Sequence, residues 1–205
     1  GVDPDNGNPL WYMDEKDAND NLTGKRVTTS DYASANYYYV NKSSLPKVYG
    51  GFNTSLSWKG FDLSAIFAYS IGGYIYNRDI TMILHNGSLE GRDWSTEILK
   101  RWTPENRYTD VPALSTTSNN WNSASTRFLQ NNSYMRLKNL TLSYDLPKQW
   151  ISKLALSSVQ VFVQGDNLFT IHRNQGLDPE QGITGITYYR YPAMRTISGG
   201  INLSF

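Results

Sequence analysis

Few residues in this chain are of the kinds that do chemistry, and their spacing points away from a reaction. Asp178 and Glu180, in GLDPEQG, are two carboxylates near enough in sequence to suggest the acid and base of a glycosidase. Pro179 between them marks a loop, and the reading as turn residues is preferred. His85 and His172 are the only histidines. Neither sits in a Ser-His-Asp arrangement or a two-histidine metal spacing. Asp3, Asp5 and Asp14 offer oxygen ligands near a glycine. The full ligand spacing of a Ca²⁺ loop is missing, and a solvated turn accounts for them. Cysteine is absent, which excludes disulfides, thiolate metal sites and cysteine nucleophiles. No catalytic, cofactor-binding or metal-ligating residue is expected, and the chain reads as something other than an enzyme.

What the chain is rich in is a better guide. Only 18% of its 205 residues are charged, and the net charge is +1 with no block of one sign, which gives no footprint for nucleic acid. Small polar residues and aromatics take the remaining places, with 15 Tyr, 7 Phe and 6 Trp. Such a composition suits β-proteins with one wet face. Transmembrane barrels and secreted β-sandwiches share it. No apolar run approaches the ~20 residues of a spanning helix, but a barrel strand needs only ~9–11 and alternates in polarity.

The alternation is plain in five segments. In 48–58, Val48, Phe52, Leu56 and Trp58 share a face. In 61–72, Phe61, Leu63, Ala65, Phe67, Tyr69 and Ile71 oppose Asp62, Ser64, Ile66, Ala68 and Ser70. Lys59 and Gly60 between them predict a two-residue hairpin turn. In 133–146, Met135 and Leu137 hold odd positions, whereas Leu140, Leu142, Tyr144 and Leu146 hold even ones. The slip near Lys138 and Asn139 predicts a β-bulge. Val159, Val161 and Val163 mark 158–169. Ile197, Gly199, Ile201, Leu203 and Phe205 mark 194–205. Residues 1–47 read as loop, with Trp11 and Tyr12 as the end of a preceding strand. Residues 73–126 read as a long excursion with one short helix in DWSTEILKRW, capped by Asp93. Pro147 opens a helical turn with Trp150, Ile151 and Leu154 inward. Connections alternate between long and tight, as in an outer-membrane barrel.

Several of these stretches resemble one family. RLKNLTLSYDLPKQWISKLALSSVQVFVQGDNLFTIHRNQGLDPE (136–180) and YPAMRTISGGINLSF (191–205) look like the C-terminal region of SusC/RagA TonB-dependent transporters. LPKVYGGFNTSLSWKGFDLSAIFAYSIGGYIYN (45–77) resembles a barrel hairpin of that family, and DPDNGNPLWY (3–12) fits the loop before it. The resemblance implies an all-β, antiparallel transmembrane β-barrel. It would be present here as a C-terminal segment, residues 1–205, of about five strands with long extracellular loops. A plugged transporter barrel has about 22 strands, so on this resemblance the plug and the earlier strands would be absent here. It further implies a place in the cell outer membrane and active import of glycan fragments or oligopeptides. A SusD-like surface lipoprotein and TonB would be the partners, with TonB acting through the missing N-terminal part.

On that reading Phe61, Leu63, Phe67, Tyr69, Leu140, Leu142 and Tyr144 face lipid, and Ile201, Leu203 and Phe205 carry the assembly signal. Trp94, Trp102, Trp121, Tyr188, Tyr189 and Tyr191 are loop candidates for contact with substrate or the lid lipoprotein. Packing within their own loops or anchoring in the outer leaflet would explain them equally. The alternative for the whole chain is a soluble cell-surface β-sandwich that binds carbohydrate.

Overall fold

The computed structural model describes residues 1–117, 119–152, 156–174, 176–180, 183–187 and 189–205. Among these residues nine strands and two short α-helices follow one another. They are β1 (Trp11–Lys16), β2 (Leu22–Thr29), β3 (Pro46–Trp58), β4 (Phe61–Gly72), β5 (Tyr74–Tyr76), α1 (Arg78–Thr81), β6 (Leu129–Asn131), β7 (Tyr134–Asp145), α2 (Lys148–Ile151), β8 (Ser158–His172) and β9 (Thr196–Ser204). They belong to two compact units, 1–41 with 77–128, and 42–76 with 129–205. Among the described residues no helix is long and apolar enough to cross a membrane.

The second unit is built on a five-stranded antiparallel sheet in the order β3-β4-β7-β8-β9. Its five strands are the five alternating segments of the sequence. β3 turns into β4 through Lys59 and Gly60, whose φ angles of 49° and 86° make the tight turn that a right-twisted hairpin needs. The slip of phase in β7 is a bulge. Ile66 pairs Asn139 and Phe67 pairs Leu137, leaving Lys138 as the extra residue. A second irregularity sits beside it in β8, where Leu137 pairs Phe169 and Asn139 pairs Asp166. Asn167, at φ 53°, absorbs the kink there. Each strand thereby keeps one apolar face on both sides of its bulge. The short β5–β6 ladder closes the base of the long excursion, with Tyr74 opposite Asn131.

The first unit corrects two expectations. Residues 1–47 are not all loop, since β1 pairs β2, and Trp11 and Tyr12 begin a strand rather than end one. Asp17 builds the turn between them, accepting from the N–H groups of Asn19 (2.8 Å) and Asn21 (3.0 Å). β2 is wet on nearly every side chain, so alternation gave no sign of it. The helix of 93–102 shrinks to a 3-10 segment, Thr96–Lys100, capped by Ser95 rather than Asp93. Asn106 ends it by donating to the carbonyls of Lys100 (3.0 Å) and Arg101 (3.1 Å). The core of this unit gathers Leu84, Val111, Trp121 and Phe128 with the buried polar residues Asn77, His85 and Asn86. In α2 of the second unit, Ile151 is buried but Trp150 is 66% exposed, so Trp150 points outward. Leu154 lies outside the described residues.

Candidate functional site

Register arithmetic sorts the five-stranded sheet into two unlike faces. Trp58, Phe61, Tyr144, Val161 and Ile201 form one cross-strand row. Leu56, Leu63, Leu142 and Val163 form the next, and Phe52, Phe67, Leu137 and Phe169 one nearer the bulges. Thr54, Ala65, Leu140, Gly165 and Ile197 lie between, and Gly50, Tyr69, Met135 and Ile171 beyond. The rings of Phe52 and Phe67 stack at 4.7 Å, and those of Phe61 and Tyr144 lie 4.4 Å apart. All seven residues expected to face lipid share this face. Most of its large side chains are exposed. Leu56 is 67% exposed, Val163 48% and Ile201 64%. An exposed apolar surface of this extent marks a face that meets a membrane or another protein.

The other face carries hydroxyls, amides and acids. Ser55, Ser64, Thr141, Gln164 and Ser198 make one row, and Asn53, Ile66, Asn139, Asp166 and Thr196 the next. These side chains bond one another. Asn139 Nδ2 donates to Asp166 Oδ1 (2.8 Å), and Thr141 Oγ1 donates to Asn139 Oδ1 (2.9 Å). Gln164 Nε2 donates to Asp166 Oδ1 and Oδ2, both at 3.2 Å, and Ser57 Oγ donates to Asp62 Oδ1. Ile66 and Phe162 are apolar exceptions on this side.

At the bulged end of the sheet stands a charge cluster that sequence reasoning split apart. Asp178 and Glu180 do not face each other as an acid and base pair. Both hold Arg136 of β7, at 2.5 Å and 2.8 Å, and Glu180 also takes Lys138 at 2.7 Å. The side chains of Arg136 and Asp178 are 4% and 6% exposed. Burial alone would push the Asp178 carboxyl up. The N–H of Ala193, the Arg136 guanidinium and the N–H of Glu180 outweigh it, and the group sits below the ordinary carboxylate value. A lone arginine in YMRLKNL was the only sign of this partner.

The remaining candidates are scattered over their own loops. Trp121 is 6% exposed under the Arg127 guanidinium, 3.8 Å away, so its burial takes it out of the set that could meet a ligand. Trp102 donates from Nε1 to the carbonyl of Pro4 (3.1 Å). Trp94 is 43% exposed, with its ring edge-to-face on His85 at 5.2 Å. Tyr189 and Tyr191 are 71% and 98% exposed, and Tyr188 lies outside the described residues. Ile201 and Leu203 belong to β9, and Phe205 follows it, 92% exposed. His85 Nδ1 accepts from the N–H of Gly87 (3.3 Å), and His172 Nδ1 lies 3.0 Å from the carbonyl of Asn174. Asp3 binds the N–H of Asp5 and the amide of Asn6, Asp5 binds Arg107, and Asp14 binds Tyr38. These acids serve separate partners. Among the described residues no three His, Asp or Glu side chains converge on a metal position.

No protein-family model matches the chain. Individual proteins do. It is 33% identical, over 76% of its length, to TonB-dependent receptor P3 of Formosa agariphila. It is 30% identical over 80% to receptor P26 of the same organism, and 27% identical over 82% to TonB-dependent receptor SusC of Bacteroides thetaiotaomicron. The whole chain superposes on part of the RagAB peptide importer with a TM-score of 0.82 in its closed-closed state, at 35% identity, and 0.82 in its open-open state, at 33%. It spans only 16% of the length of receptor P3 and 22% of the closed-closed importer chain. With a two-faced antiparallel sheet of matching shape and this level of identity, the chain belongs to the SusC/RagA family of TonB-dependent receptors.

Proposed function

We propose that this chain is a stretch of wall and mouth in an outer-membrane TonB-dependent importer. The observation that carries the reading is the pair of faces on one sheet. Five strands in register bear an apolar surface most of whose large side chains are exposed, backed by a polar surface whose side chains bond one another. Lipid suits the first face and a plugged, wet lumen suits the second. Phe61, Leu63, Phe67, Tyr69, Leu140, Leu142 and Tyr144 then meet acyl chains, and Asp62, Ser64 and Thr141 line the interior. A β-sandwich would bury its apolar face against a second sheet, and the register offers none. β3 and β9 each have a single neighbour in the sheet, and lipid cannot satisfy open edges, so further strands of the receptor complete the barrel.

The receptor would work with a SusD-like lipoprotein on the outside and draw energy from TonB through another part of its chain. Its cargo would be glycan fragments or oligopeptides, the latter favoured by the likeness to a peptide importer. Equal similarity to the closed and open states of that importer supports a segment that keeps its shape through the cycle. The test is a gel of the native outer-membrane fraction, boiled and unboiled, probed with an antibody to 191–205. A heavy band that shifts on boiling supports the reading, whereas a soluble band indifferent to boiling overturns it. Uptake of labelled oligopeptides and oligosaccharides, compared between cells with and without the receptor, separates the two cargo classes.

A further inference from the structure

Asp178 does more than pair with Arg136. Its Oδ1 accepts from the N–H of Glu180 (2.9 Å) and its Oδ2 from the N–H of Ala193 (2.6 Å). One buried carboxylate thus ties together the point where the chain leaves for an excursion and the point where it returns to enter β9. Arg136 fixes that carboxylate to the sheet. Its three donor nitrogens are all used, Nε on Thr170 Oγ1 (2.8 Å), one terminal nitrogen on Glu180 and the other on Asp178. The fork is planar and rigid, so three bonds leave it one orientation.

Further fasteners run along the excursion. Asn132 Nδ2 donates to the carbonyl of Pro179 (2.9 Å), and Ser44 Oγ to that of Ile183 (2.9 Å). The N–H of Tyr76 donates to the carbonyl of Gly185 (2.7 Å), and the N–H of Thr187 returns to the carbonyl of Tyr76 (3.2 Å). Pro179 and Thr187 are fully buried, but Tyr189 and Tyr191 just beyond them are exposed. A flexible surface loop would need none of this. A buried ion pair is poor value as a stabiliser, because desolvation offsets much of its attraction. What it does supply is direction.

We propose that Arg136 and Asp178 are positioning residues of the importer that close the base of the 179–192 excursion and hold Tyr189 and Tyr191 as a preordered part of its rim. The proposal rests on the importer reading above. A rim ordered in advance loses less conformational freedom when something docks on it.

The test is hydrogen exchange on the full-length receptor in detergent, comparing wild type with Asp178→Ala, Arg136→Met and the double variant. In Asp178→Ala, peptides covering 183–193 exchange at least ~10-fold faster, while peptides from β4 and β8 keep their wild-type protection. Arg136→Met is worse than the double variant, because it alone leaves a buried carboxylate without its cation. Unchanged exchange at 183–193 in Asp178→Ala overturns the proposal, and so does equal loss across β7 and β8. If neither single variant gives the boiling-shifted band, the cluster holds the barrel and not the loop, which also overturns it. Failure of the importer reading shows elsewhere, as wild-type protein without that band.

Discussion

Phe67→Arg tests the assignment of faces at its most sensitive point. Phe67 is the seventh of twelve residues in β4, and its ring stacks on Phe52 in the neighbouring strand. At ~3.4 Å per residue β4 is ~40 Å long, and a tilt of ~40° projects ~30 Å of it onto the membrane normal. The apolar band of an outer-membrane barrel is ~25 Å tall, so position 67 falls near its midplane. An arginine there costs ~2–4 kcal/mol. Loss of the ring stack adds ~0.5–1.5 kcal/mol. The membrane term alone lowers the folded-to-unfolded ratio by roughly 30-fold to several hundred-fold. Ser64→Arg is the control, three residues away on the polar face, where Ser55 and Thr141 flank it. The assay is urea unfolding of the full-length receptor in lipid vesicles, together with the fraction of boiling-shifted band in outer membranes. The reasoning is refuted if Phe67→Arg unfolds at the wild-type urea concentration while Ser64→Arg does not.

Gly60→Val probes the hairpin turn. Gly60 has φ 86°, and a Cβ there would lie 3.1 Å from the carbonyl of Asp145, so the variant loses ~1–2 kcal/mol in the same unfolding assay. Trp121→Ala and Tyr191→Ala separate packing from display. The buried Trp121 costs ~3–5 kcal/mol by thermal unfolding, and the exposed Tyr191 stays within ~0.5 kcal/mol. His85 sets a pH dependence. Burial holds its imidazole below the ordinary value, the Arg92 charge acts the same way, and the nearby Asp93 backbone opposes both. Because the folded pKa lies below the unfolded ~6.5, the unfolded chain takes up protons first as pH falls. Stability from neutral His85 is therefore complete above pH ~6.5 and is lost as pH falls through the folded value. Amide exchange across 83–95 should be flat from pH ~7.5 to ~6.5 after correction for intrinsic rates and rise below it, and His85→Phe should abolish the rise.

How much of this was legible beforehand follows from the reach of each interaction. A half-solvated strand writes its register into the chain every second residue, so the five strands of the main sheet could be read directly. The bulge at Lys138 was legible for the same reason, since an extra residue moves Leu140 and Leu142 from odd to even places. The β1–β2 hairpin was not, because Leu22–Thr29 is exposed on both faces and leaves no alternation. Ser95 displaced Asp93 as a cap through a choice of two residues that propensity alone does not rank. The Arg136 cluster was hidden by distance along the chain. Its acids come forty-two and forty-four residues after their arginine, and nothing local to Asp178 and Glu180 distinguishes a clamp from a catalytic pair.

That last ambiguity also shows why the site here is a surface and a loop rather than a set of reacting groups. A glycosidase pair needs two carboxylates with unlike proton affinities aimed at one bond. Asp178 is held below the ordinary value by donors that occupy both of its oxygens. Glu180 shares one oxygen between Arg136 and Lys138. Asp178, with donors on both oxygens, is committed to its neighbours, and Glu180 is tied to two cations through Oε2. These bonds make them good fasteners. Placed where the two bulges bend β7 and β8, they fix the loop at the end of the sheet opposite the tight turn of Lys59 and Gly60. The tight turn and the fastened loop therefore lie at opposite ends of one sheet, the asymmetry expected of the importer wall proposed above.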